Sequence, residues 1–392
     1  MTDIHICILA GEHSGDHMGA LMMRALKSRF GARVRFSGIG GSEMLAEGRD
    51  NGFESFFPME ELAIAGIFEI VPHIPRVLRR IGETVAGVRE SRPDMVLSID
   101  SPAFAFRVGR KLKGSGIPHI HYVAPTVWAW RPRRARMIAG FLDHLLTIFP
   151  FEQPYFDRWG LASTFVGHPT ADMQLDKGDG KAFRAAHGIA QDQRVLCVLP
   201  GSRRSEVSRL LPIFGEVVAR LGQGFPDLAV VVPTVSTVAD TVRAAAASWP
   251  VKTIVTEGLE AKRGAFAASD LALAASGTVT YELAMAGVPM VIAYRISAAS
   301  AAVIRAMIKI PYASVVNIVL GHQVAPECLQ ENCTQGILVR EVGRLLADPA
   351  ARARQKIELD KVARALGRGG PPASEVAADA IVKILKMHRG DL

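Results

Sequence analysis

The sequence predicts an α/β protein of two domains, each built on a mainly parallel sheet, with a cleft between them. Three observations carry this reading. The chain has 392 residues, more than one hydrophobic core usually organises. Short apolar runs alternate with helical stretches along most of its length. A strand, a small-residue turn and a helix start follow one another at Ile4–Ala25, Val195–Leu210 and Leu271–Glu282. Such a junction lets a phosphate approach backbone N–H groups where the helix dipole favours negative charge.

Taken in order, the strands of the first half are expected at Ile4–Ala10, Val34–Ser37, Met95–Ile99, His119–Val123 and Leu145–Ile148. Those of the second half are expected at Val195–Leu199, Ala229–Val232, Thr253–Val255, Leu271–Ala274 and Met290–Tyr294. The polar, glycine-marked stretch Asp172–Gly180 between the two series reads as the linker. Beyond Asn332 the pattern is helical, and the breaker Gly367–Pro372 separates Ala350–Ala365 from Ser374–Met387. The expected domains are therefore 1–172, completed by a returning helix within 373–392, and 181–366.

Composition narrows the class. Half the residues are apolar and aromatics are sparse, which suits close helix-on-sheet packing and excludes disorder. The four cysteines form no CxxC pair; Cys7 and Cys197 fall inside strand-like apolar runs and read as core residues in a reducing compartment. The segment before Gly11 is too short for a signal sequence and lacks a basic start. No run reaches the roughly 18 apolar residues of a membrane span, so a cytoplasmic or peripheral protein is expected. A formal net charge of +8 favours polyanionic partners without choosing among nucleic acid, anionic lipid and phosphorylated substrate.

Chemistry is expected in the loops after the strands. Ser276, Gly277 and Thr278 open a helix in which Glu282, one turn on, is placed to accept hydrogen bonds from ribose hydroxyls. Pro200-Gly201-Ser202-Arg203 follows another strand, so Arg203 would stand beside that turn and neutralise a diphosphate; a solvated surface arginine is the plainer alternative. In the first half, Gly11-Glu12-His13-Ser14-Gly15-Asp16 ends the first strand, although Ser14 or Asp16 would equally serve as a helix cap. Asp100 follows a buried strand just before Pro102 and is the candidate general base, with a turn aspartate as its alternative.

Two tryptophans and Arg131, Arg133, Arg134 and Arg136 occupy the proline-bounded stretch His119–Arg136, either as a binding surface or as a buried aromatic with a solvated basic face. Leu62–Ile81 and Ile296–Ile310 each combine an apolar run with basic residues, as a peripheral membrane contact or a core helix would. Glu43 takes the third glycine position of the GIGG segment, which excludes a dinucleotide fingerprint; a Walker A lysine is absent, and so is the Asp-x-Asp that holds a divalent ion on many sugar nucleotides. Diphosphate charge is then to be met by arginine and helix N-termini, with no metal and no cofactor.

The motifs AGEHSGD, MEELAIAGIFEI, IDSP, HYVAPTVWAW, FPFE, VGHP, LPGSR, ASGTVTYE and NIVLGHQVAPECLQE, in this order between about Ile4 and Glu331, resemble the lipid-A-disaccharide synthase family. The resemblance implies the GT-B architecture: two Rossmann-like domains with parallel sheets facing a central cleft. It implies transfer of 2,3-diacylglucosamine from UDP-2,3-diacylglucosamine to the 6-hydroxyl of 2,3-diacylglucosamine 1-phosphate with inversion, giving a β-1,6 disaccharide phosphate and UDP. Carried onto this chain, Asp100 and Glu12 are catalytic, either one as base. Gly201, Ser202, Arg203, Ser276, Gly277, Thr278, Glu282 and Asn317 bind UDP, and Ser14, Gly15, Asp16, His168, Gln330 and Glu331 contact the sugars. It also implies an anionic inner-membrane surface as partner on the cytoplasmic face, allows a homodimer, and excludes nucleic acid. His322 is a departure, since related sequences more often carry arginine there. The muramyl-pathway transferase and UDP-N-acetylglucosamine epimerases share the two-domain plan, but the VWAW loop and the apolar segments disfavour both.

Overall fold

In a computed structural model the chain is described over residues 3–62, 73–130, 132–297, 301 and 310–389. It divides into two units, Met1–Asp172 with Pro371–Leu392, and Met173–Gly370.

The first unit holds β1 (Ile4–Ala10), β2 (Val34–Ile39), β3 (Met95–Ile99), β4 (His119–Tyr122), β5 (His144–Thr147) and β6 (Ala162–Phe165). All pair in parallel, in the order β2-β1-β3-β4-β5-β6. β1 and β3 are buried along their whole length, as strands covered by helices on both faces must be. The chain leaves β1 toward β2 on one side and returns to β3 on the other, so the sheet reverses its winding between β1 and β3. Open α/β sheets bind ligands at the carboxyl ends of the strands flanking such a switch point. The helix Ala373–Arg389 belongs to this unit: Arg29 binds Glu375 at 2.6 Å and Asp379 at 2.7 Å, and Asp172 accepts the Ala373 N–H at 2.8 Å.

The second unit holds β7 (Val195–Leu199), β8 (Ala229–Thr234), β9 (Lys252–Glu257), β10 (Leu271–Ala275), β11 (Met290–Tyr294) and β12 (Glu327–Leu329), in the parallel order β12-β11-β10-β7-β8-β9. Its switch point falls between β7 and β10. Phe214, Val217 and Leu221 of the helix Arg204–Gly224 pack on Val198, Val230 and Leu273 to form the core under it.

Two features depart from expectation. β6 and β12 were not foreseen; both are short edge strands whose half-polar sequences, ASTF and ECL, lack the apolar run of a central strand. The expected linker is largely packed structure: at Gly178 and Gly180 a Cβ would lie 2.0 and 2.4 Å from the carbonyl oxygens of Arg263 and Ala267. Half of the first apolar segment, 63–72, and most of the second, 298–300 and 302–309, lie outside the described residues. Among the described residues no helix is long and apolar enough to cross a membrane. All four cysteines are buried and unpaired.

Candidate active site

Both switch points carry the residues that the loops were expected to supply. In the second unit, Ser276–Val279 after β10 and Gly201–Arg203 after β7 line one cavity of about 390 Å³, together with Glu206, Lys262, Tyr281 and Glu282. That is within the range of ligand pockets. The helix Thr278–Ala286 starts without a side-chain cap, so its first N–H groups suit an anion. Gly201 has φ +118°, and a Cβ there would lie 2.6 Å from Glu206 Oε2. Only glycine fits this turn.

Glu206 and Lys262 are the residues that sequence reasoning missed. The Glu206 carboxylate accepts the Ser202 N–H at 3.2 Å and binds Arg203 Nη1 at 2.9 Å. It thus holds the loop's donors and the exposed Arg203 guanidinium in place. Lys262 Nζ meets Glu282 Oε2 at 3.0 Å, both side chains mostly buried. A second cation therefore stands in the cavity, and Glu282 is held by it. Lys262 lies in a helix, Leu259–Ala268, that carries no motif, so no sequence signal pointed to it.

In the first unit Asp100 stands at the carboxyl end of β3 and Glu12 at that of β1, flanking the switch point. Gly11 permits the approach of the two loops, since a Cβ there would lie 2.5 Å from Ser101 Oγ. Ser14 Oγ reaches Asp100 Oδ2 at 3.5 Å, the limit of a hydrogen bond. Burial raises the Asp100 pKa above the ordinary carboxylate value, opposed by the Ser101 N–H and the Ser14 hydroxyl. A carboxylate shifted upward is a better base near neutrality. Asp100 lines a cavity of about 310 Å³ with Pro102, Val123–Val127 and Arg134.

A family model described as lipid-A-disaccharide synthetase matches residues 6–381. The lipid-A-disaccharide synthase of Rhodospirillum centenum is 51% identical over 387 residues, 98% of this chain and 96% of that protein. The chain belongs to the lipid-A-disaccharide synthase family. The corresponding enzyme of Paramagnetospirillum magneticum is 46% identical over 388 residues, 98% of each chain. Among solved structures, Acinetobacter baumannii MurG covers 97% of this chain and 99% of its own at TM-score 0.60 and 17% identity. The UDP-GlcNAc 2-epimerase of Neisseria meningitidis, bound to UDP-GlcNAc, covers 97% and 100% at TM-score 0.66 and 13% identity. These two establish the fold alone. The lipid-A-disaccharide synthase match also enters the last helix, beyond Glu331 where the recognisable motifs stop.

Not every residue assigned by resemblance to that family lines one of these two cavities. Asn317 is fully buried, and its amide is spent inside the protein: Oδ1 accepts from Val324 N at 2.7 Å and Ala325 N at 2.9 Å, while Nδ2 donates to Ala325 O at 2.9 Å and Glu327 Oε1 at 2.8 Å. It clasps the loop 321–327 and leaves no capacity for UDP. Asp16 is likewise structural. Its buried carboxylate accepts the N–H groups of Gly41, Glu43 and Met44 at 2.8, 3.0 and 3.0 Å, capping the helix Ser42–Gly48 from a neighbouring element. Gly15 is buried with its Cα facing Ala10 and the Ile99 carbonyl, so its part is to bring helix and strands together. His168 is buried, accepts the Thr170 N–H at 3.1 Å through Nδ1, and has its pKa lowered by burial to about 3, which makes it a neutral imidazole. Gln330 and Glu331 follow β12, two strands from β10, and line neither cavity; Gln330 Oε1 accepts the Ile296 N–H at 3.3 Å.

A larger groove of about 720 Å³ lies along β12 and shares no residue with the cavity at the β7–β10 switch point. It contains His322, which pairs with Glu358 at 3.1 Å. Arg340, Arg344 and Arg354 line it with Glu327, Glu341 and Glu358. Among the described residues no cluster of His, Cys, Asp or Glu has a metal-holding arrangement.

Proposed function

We propose that this enzyme, a glycosyltransferase of lipid A disaccharide synthesis, holds the UDP of a UDP-2,3-diacylglucosamine donor at the β7–β10 switch point. Asp100 in turn activates the 6-hydroxyl of 2,3-diacylglucosamine 1-phosphate. The observation that carries the reading is the pair of switch points, one furnished with cations and helix N–H groups, the other with a half-buried carboxylate of raised pKa. The Ser276–Val279 turn and Arg203 receive the diphosphate, Lys262 adds charge, and Glu282 takes the ribose. Loss of the hydroxyl proton to Asp100 accompanies attack on the anomeric carbon; departure of UDP on the opposite face inverts the configuration. Glu12, at the neighbouring strand end, orients the hydroxyl. Acylated substrates place the enzyme at the anionic inner-membrane surface, on its cytoplasmic face.

The test is a two-substrate assay. UDP release requires both acylated sugars and persists in a chelator; comparable turnover of unacylated UDP-N-acetylglucosamine refutes the reading. Asp100→Asn lowers kcat by about 10²–10⁴-fold, the usual worth of a general base, with UDP affinity unchanged. Arg203→Ala weakens UDP binding about tenfold, as loss of one charged contact does.

A further inference from the structure

The cavity that holds Asp100 has a neighbour of about 270 Å³ lined by Pro102, Ala103, Phe106, Arg107, Arg110, Arg134 and Met137. The two cavities share Pro102 and Arg134, so Arg134 stands in the wall between them. Its guanidinium lies 5.4 Å from the Phe106 ring centroid, a cation–π contact. Around both cavities the ionisable side chains are three guanidiniums and one carboxylate, Asp100. Arg107 donates to the Ala103 carbonyl and Arg110 to the Met137 sulfur; neither meets a carboxylate among the described residues. Beneath them His119 and His121, both bonded to Ser98 Oγ at 2.8 Å, are buried and neutral and add no countercharge.

We propose that Arg134, with Arg107 and Arg110, is the subsite for the acceptor's phosphate, so that a sugar phosphomonoester spans the two cavities with its hydroxyl at Asp100 and its phosphate at the guanidiniums. Arginine forks match phosphate oxygens in geometry and charge. The subsite rests on the glycosyl-transfer reading and deepens it. The same chemistry would also suit the anionic headgroup of a bilayer lipid, and the test separates the two.

Full-length enzyme in neutral detergent micelles is assayed with 2,3-diacylglucosamine 1-phosphate and with the same acceptor lacking the phosphate. In the wild type, loss of the phosphate raises the acceptor KM by about tenfold or more, the worth of one charged hydrogen bond. Arg134→Gln raises KM for the phosphorylated acceptor by a similar factor and leaves the other unchanged, so the preference collapses; Arg134→Lys restores part of it. An equal rise for both acceptors makes Arg134 a packing residue and overturns the proposal, as does an unchanged preference. So does a variant replacing all three arginines by glutamine that fails to sediment with phosphatidylglycerol vesicles while keeping its preference, because the patch then serves the membrane. Wild-type enzyme that turns over neither acceptor removes the transfer reading and the subsite together, an outcome distinct from intact turnover without preference.

Discussion

Backbone strain at single residues gathers where the chemistry is proposed. Asp100 and Ser101 have φ of +50° and +47°, and Val123, at the end of the adjacent β4, has φ +77°. A β-branched residue rarely adopts that conformation, and residues held there persist only where the surroundings enforce them. Ladder bonds enforce them here: Asp100 N–H to Tyr122 O at 3.0 Å and Val123 N–H to Leu146 O at 3.1 Å. Asp100 itself was legible, because an acid between an apolar strand and a proline is a local pattern. Its raised pKa was not, since burial in the folded protein is the main cause. The Ser14 hydroxyl favours the ionised form and holds that pKa down. Ser14→Ala therefore raises it further, and the acidic limb of the kcat/KM profile moves to higher pH. An unmoved limb would assign the base elsewhere.

At the scale of elements, the tryptophan loop is held by one buried carboxyl. Trp128 Nε1 donates to Glu152 Oε1 at 3.2 Å, while the N–H groups of Ile148 and Phe149 donate to Oε2 at 3.2 and 3.1 Å. Trp128 meets Phe151 edge-on at 5.1 Å, and Phe151 stacks on Phe149. Burial raises the Glu152 pKa to about 7, against the hydrogen bonds that lower it. A carboxyl whose folded pKa exceeds its unfolded value binds more protons in the native state. Its contribution is complete below the unfolded value of 4.5 and is lost as pH rises toward 7. Unfolding of the first unit in urea should thus cost ~3 kcal/mol less at pH 8 than at pH 4.5 on account of this group. Glu152→Gln should flatten that slope. The motifs VWAW and FPFE were visible in the sequence, but that one ties the other down was not, because the bond spans 24 residues.

For the whole molecule, the division into units assigns the last helix to the first. Ala377, Ala378, Ile381, Ile384 and Leu385 are buried in it, and burying each of the three larger side chains is worth about 1.5–3 kcal/mol. Their sum rivals the whole stability of a domain. A chain ending at Gly370 should therefore have a protease-sensitive first unit, while Met173–Gly370, one continuous stretch, should resist digestion and bind UDP within a few-fold of the full enzyme. Digestion of both units at equal rates would contradict this division.

The sequence by itself determined the parallel sheets, the glycine-turn loops, the position of Asp100 and, through its motifs, the family. Each of these is written in neighbouring residues, as an apolar run, a glycine turn or a fixed string. Tertiary structure decided which strands flank each switch point, and with that the meeting of Arg203, Lys262 and Glu282 in one cavity. It also turned Asp16 and Asn317 from expected ligands into structural clasps. A polar side chain's role depends on which donors the fold brings to it. For Asp16 these lie 25 to 28 residues away, where no local pattern can name them.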